Sequence, residues 1–66
     1  MRPGLFEDLP VTTAQREKLA GLVALPPADI TRIQGQFHPE TDDLLGVWVH
    51  TTFGGTPAWF PYEVIA

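Results

Sequence analysis

A pair of adjacent prolines, Pro26-Pro27, does most to limit what this chain can fold into. Proline lacks a backbone N–H and its ring clashes with the preceding turn, so no helix runs through the pair, and Leu25 before it is pushed toward extended backbone. Residue types differ on the two sides. Good helix formers run from Ala14 to Ala24, whereas β-branched and aromatic residues dominate from Ala28 onward. The expected fold class is therefore α+β, one helix followed by a small antiparallel meander.

The helical half carries its own start signal. Thr12-Thr13-Ala14-Gln15 fits a capping box, with Thr12 as N-cap and Gln15 reaching back from the third helical position. The spacing predicts a helix over 12–25, with Leu19, Leu22 and Val23 on one stripe and Arg16, Glu17 and Lys18 pointing away. At that length a helix is marginal alone, so the stripe must pack on something. Ahead of it, residues 1–11 read as an extended arm with Pro3, Gly4 and Pro10. Leu5, Phe6 and Leu9 make at most one helical turn before Pro10 stops it. Such an arm either covers part of the core or docks on a partner as a short linear motif.

After the prolines, Ile30 to Phe37 reads as a strand and His38-Pro39-Glu40-Thr41-Asp42-Asp43 as a turn, with proline and aspartate in roles they favour. Leu44 to Thr52 follows as a second strand. Strict alternation places Leu45, Val47, Val49 and Thr51 on one face and Leu44, Gly46, Trp48, His50 and Thr52 on the other. Phe53-Gly54-Gly55-Thr56-Pro57 is a turn whose glycine pair suits positive φ. Ala58-Trp59-Phe60 returns as a short strand, Pro61 interrupts it, and Tyr62 to Ile65 closes the meander of residues 28–66. The expected core is Leu19, Leu22, Val23, Ile30, Ile33, Phe37, Val47, Val49, Phe60 and Val64.

The 66 residues are expected to form a single domain, 1–66. A domain of this size buries only about 60% of the surface its unfolded chain exposes. With no cysteine there is no disulfide, which leaves good packing, a partner surface or self-association into a homo-oligomer as the remaining supports. The longest apolar run, Leu22 to Leu25, is far short of the roughly 20 residues a membrane helix needs, and Met1-Arg2-Pro3-Gly4 lacks the apolar core of a leader peptide. No membrane association is expected, and the expected location is the cytoplasm.

Charge is unevenly placed. Every Lys and Arg lies in residues 1–32, where Arg2, Arg16, Lys18 and Arg32 are matched by Glu7, Asp8, Glu17 and Asp29. Residues 33–66 carry Glu40, Asp42, Asp43 and Glu63, so the net charge of −4 belongs to that half. Phosphate backbones are bound by Lys and Arg, so this half argues against nucleic acid and for a basic protein surface.

The chain also has no serine. Without Ser or Cys the usual acyl-transfer nucleophiles are missing, and no enzymatic activity is expected. No cofactor and no metal are expected either. His38 and His50 lack the tight paired spacing of zinc ligands, and the Glu40-to-Asp43 turn lacks the alternating oxygens and central Gly of a calcium loop. Gly54-Gly55 has neither the Lys nor the following helix of a phosphate loop. Both histidines can make binding sensitive to pH near neutrality.

Residues 28–65 carry a family likeness. Ala28-Asp29-Ile30-Thr31-Arg32-Ile33 is similar to a G-D-I-x-x-V strand, and Ala58-Trp59-Phe60-Pro61-Tyr62-Glu63-Val64 to a closing G-[aromatic]-[Phe/Ile]-P-x-x-Y motif. With Trp48 thirteen residues before Pro61, this stretch resembles the second half of an SH3 domain. The opening A-L-Y-D-Y strand of that family has no counterpart, and Val64 stands where its last tyrosine would be. The resemblance implies an SH3-like partial barrel, with Trp48, Pro61 and Tyr62 facing a proline-rich ligand.

Trp48 shares its strand face with His50 and Thr52, opposite the aliphatic face. Both tryptophans are candidates for the core, but a Trp48 on the outer face, beside Tyr62 or Phe53, is an interface anchor. The expected function is a non-catalytic protein-binding module, an adaptor, inhibitor or regulator. Its expected partner surface is Trp48, His50, Phe53, Trp59, Pro61, Tyr62, Asp42 and Asp43, suited to a basic or proline-rich partner. The alternative is an accessory subunit of a larger assembly, docked through the arm from Arg2 to Pro10.

Overall fold

The computed structural model of the chain describes residues 6–66. It is an α+β fold: strand β1 (Phe6–Asp8), helix α1 (Thr13–Val23), a 3-10 turn (Pro27–Asp29), strands β2 (Ile30–Phe37), β3 (Leu44–Thr51) and β4 (Ala58–Pro61), and a second 3-10 turn (Tyr62–Val64). The strands form one antiparallel meander in the order β1-β2-β3-β4. The sheet is open, with β1 and β4 as its edges, an arrangement compatible with an SH3-like partial barrel.

The helix begins and ends as local chemistry requires. Thr12 Oγ1 accepts from the Gln15 N–H, and Gln15 Oε1 accepts from the Thr12 N–H, so two otherwise orphaned donors are satisfied reciprocally. At the other end Ala24 adopts the left-handed conformation, φ 60°. The Leu25 N–H then reaches back to the Ala20 carbonyl and the Ala24 N–H to that of Gly21, closing the end before Pro26.

Leu19 and Ala20 of α1 pack on Ile30 and Ile33 of β2, Val47 and Val49 of β3, and Ile65 beyond the last turn. Leu9, Val11, Val23, Phe60 and Val64 pack around this centre. Leu22 is a correction to the expected core: it is 48% exposed. The buried stripe runs 16, 19, 20, 23, one position round from the expected one, so Ala20 takes the central place and Leu22 flanks it. Arg16 does not point away: it is half-buried and donates to the Ile30 carbonyl, while Gln15 Nε2 donates to that of Ile65. These two bonds fasten the helix to β2 and to the end of the chain.

Two irregularities reset the face alternation. Ile30 pairs with Thr51 but Arg32 with His50, so an extra residue bulges from β2 and Ile30 and Ile33, three apart, share the core face. At the far end Gln36 pairs with Gly46 but Phe37 with Leu44. The bulge at Leu45 overturns its expected place beside Val47: Leu45 is 43% exposed, and half-buried Leu44 turns inward over Gly35 with Phe37.

The described part of the arm is not helical. Phe6, Glu7 and Asp8 pair with Gln36, Gly35 and Gln34 as an edge strand, and the Leu9 N–H donates to the Ile33 carbonyl. Leu9 and Val11 then cover the core. Residues 1–5 of the arm, Arg2 and Leu5 among them, lie outside the described residues.

Candidate functional site

Cross-strand register assembles the site on the face opposite the core. In antiparallel pairs, residues opposite one another project to the same side. One row across the sheet is therefore Phe6, Gln36, Gly46 and Pro61, and the next is Asp8, Gln34, Trp48 and Trp59. Arg32 and His50 follow. All of these sit on the side that α1 does not cover.

Both indoles lean toward the first row. The Trp48 ring meets Phe6 edge-on at 6.3 Å between centroids, and Trp59 at 6.4 Å with a 60° tilt. These are separations at which offset and edge-to-face aromatic pairs attract beyond their buried area. Nε1 of Trp48 and Nε1 of Trp59 each donate to Gln36 Oε1 at 3.1 Å, so one amide oxygen uses both lone pairs to hold both indoles. Gly46 makes this possible. A Cβ there would lie 2.4 Å from Trp59 Cζ2, so only glycine lets the ring lie across β3. The three rings form a continuous aromatic strip from edge to edge of the sheet, with Phe6 48% and Trp59 42% exposed and Trp48 half-buried between them.

The polar groups of this face are partnered among themselves. His50 Nε2 lies 2.6 Å from Gln34 Oε1, within hydrogen-bonding distance. Arg32 Nε donates to Asp8 Oδ1 at 2.6 Å in an exposed ion pair.

The acidic turn leaves from the same end of the sheet as the first row. His38 organises it: Nδ1 accepts from the Glu40 and Thr41 N–H groups, and the backbone of His38 exchanges bonds with Asp42 and Asp43. Thr41 Oγ1 donates to Asp43 Oδ2, and Asp42 takes a left-handed φ of 63°. Pro61, opposite Gly46, leads at that end into the turn containing Tyr62 and Glu63, with Tyr62 44% exposed. Among the described residues no pocket opens and no group of three or more metal-ligating side chains converges.

Of the expected site residues, Trp48, Trp59, His50 and Pro61 share the outer face, and Asp42, Asp43 and Tyr62 lie on turns at one end of it. Phe53 stands apart. It is 74% exposed on the β3–β4 turn, at the end of β3 opposite the acidic turn, beyond Thr51. That turn has the expected geometry, with φ of 71° at Gly54 and 76° at Gly55. Three members were not foreseen. In the sequence Phe6 belongs to the arm, Gln36 to a strand with no assigned role, and Gly46 to the Trp48 face without a stated contact, although glycine inside a strand often marks the close approach of another group. Comparison with protein-family models, curated proteins and solved structures finds no match for this chain.

Proposed function

We propose that this chain is a non-catalytic protein-binding module, an adaptor, inhibitor or regulator, that engages its partner through the outer face of its sheet. One observation carries the reading: Phe6, Trp48 and Trp59 lie on the face that α1 does not cover, while the buried core is aliphatic. In a small domain aromatic side chains supply the largest burial gain available. Spending them on the solvent side, ordered by hydrogen bonds, is the pattern of an interface awaiting its partner. The acidic half of the chain favours a basic partner surface. The SH3 likeness adds a finer possibility, a closing barrel with a proline-rich ligand, for which the open sheet leaves room.

The test is capture of partners from a lysate of the source organism on immobilised wild type, Trp59→Ala and Trp48→Ala chains. Each variant is first checked for a folded spectrum. A protein retained by wild type, lost by a folded variant and rebound when purified supports the face. Partners retained equally by all three chains would move the interface elsewhere.

A further inference from the structure

The same face indicates the chemistry of its occupant, an inference that rests on the protein-binding reading. The indole N–H groups of Trp48 and Trp59 are both donated to Gln36 Oε1. A polyproline helix has no internal hydrogen bonds, and its carbonyls look for donors. The two indole donors are already engaged. The strip therefore offers ring faces and edges, and the polar species that recognises an aromatic face is a cation.

Charge agrees with this. Glu40, Asp42 and Asp43 leave from the end of β2 toward which both indoles lean, and Glu63 follows Pro61 at that end. Residues 33–66 hold no Lys or Arg, so the formal charge of this stretch is entirely negative. Among the described residues, the arginine of this face, Arg32, sits toward the opposite end and is paired with Asp8. We propose that the occupant is a basic segment of a partner protein, whose Lys or Arg side chains stack on the Phe6–Trp48–Trp59 strip while the acidic turn balances their charge. Gln36 is the positioning residue: it fixes both indoles and removes their donors from competition.

The experiment titrates the isotope-labelled full chain with three blocked peptides of equal length, followed by the indole N–H signals of Trp48 and Trp59. One alternates Gly and Arg, the second replaces every Arg by neutral, planar citrulline, and the third is oligoproline. The Arg peptide is expected to shift both signals to saturation. The citrulline peptide should bind at least about fivefold more weakly, the upper range for one exposed cation–aromatic contact. Trp59→Ala should weaken the Arg peptide by a similar factor. A Glu40→Gln/Glu63→Gln double variant, which leaves the strip intact, should weaken it about two- to fivefold, with a shallower salt dependence.

Equal binding of the Arg and citrulline peptides would overturn the proposal. So would oligoproline shifting the two signals while the Arg peptide does not, although that result would leave the face standing as a protein-binding surface. If no peptide moves either signal, the basic occupant is wrong, and partner capture with the Trp59→Ala chain judges the face separately.

Discussion

The two faces of this sheet are built on different terms. The inner face is aliphatic: Val47 and Val49 are 0% exposed and Ile33 5%, sealed by Leu19 and Ala20 of α1. The outer face holds the large rings, and its order comes from polar contacts, with Gln36 holding two indoles, Gln34 facing His50 and Arg32 paired with Asp8. Stability is concentrated on one side and specific geometry on the other. The inner face needs volume and apolarity and tolerates exchange among similar residues. The outer face needs particular donors, acceptors and a glycine, and these matter to the fold mainly through the strip they align.

The sharpest way to break this division is at its two centres. Leu19→Ala removes a fully buried side chain, and a loss of about 2–5 kcal/mol is expected by urea denaturation. That is a large share of what so small a domain possesses. On the outer side Gly46→Ala places a methyl group 2.4 Å from Trp59 and 2.7 Å from the Phe60 carbonyl. Expected is a loss of about 1–3 kcal/mol together with displacement of the Trp59 ring. Combining it with Trp59→Ala should recover part of the cost, since the ring clash disappears and the clash with the Phe60 carbonyl remains. A Gly46→Ala chain of wild-type stability with unmoved Trp59 signals would mean that the ring is not held across β3.

Gln36→Met gives a smaller and more selective effect. The side chain keeps its length but loses the oxygen shared by two indoles. Because Trp59 and its surroundings are open to water, the expected cost is about 1 kcal/mol. The larger change should be spectroscopic, with both indole N–H signals shifting and exchanging faster with solvent. If only the stability changes and the signals stay, the indoles are held by packing and the amide is incidental.

The inner face was the more legible of the two in the sequence. The Pro26-Pro27 break, the Thr12–Gln15 box, the glycine pair and the Val47–Val49 alternation all act through local backbone rules, and each resolved into the element it implied. Leu22 and Leu45 failed for a nonlocal reason. The helix is docked by Arg16 and Gln15, which rotates the stripe, and a bulge shifts Leu45 outward, neither of which periodicity contains. Trp48 could be placed on the outer face because alternation reaches along its own strand, and Pro61 was set beside it by the family resemblance, whereas the face of Trp59 follows only from the β3–β4 register. Phe6 could not, because its place depends on a three-residue strand pairing with Gln36 across the chain. Gln36 as a double acceptor is invisible for the same reason: its role exists only once β2, β3 and β4 are in register.

The smallest expected effect tests whether the two faces are independent. Ala24 ends α1 in the left-handed region at φ 60°, where a Cβ costs roughly 1–2 kcal/mol. Glycine avoids that cost but loses about 0.5–1 kcal/mol to its greater freedom in the unfolded chain. The Ala24→Gly chain should therefore be more stable by about 0.5–1 kcal/mol in urea denaturation. Ala24 is exposed, at the end of the helix that seals the inner face, and it takes no part in the hydrogen bonds that hold the two indoles. If the faces are separate, the gain should leave the Trp48 and Trp59 signals and the affinity for a captured partner unchanged. A partner affinity that rises with the stabilisation would instead mean that the strip is ordered only when the helix is, and that the inner face sets the population able to bind.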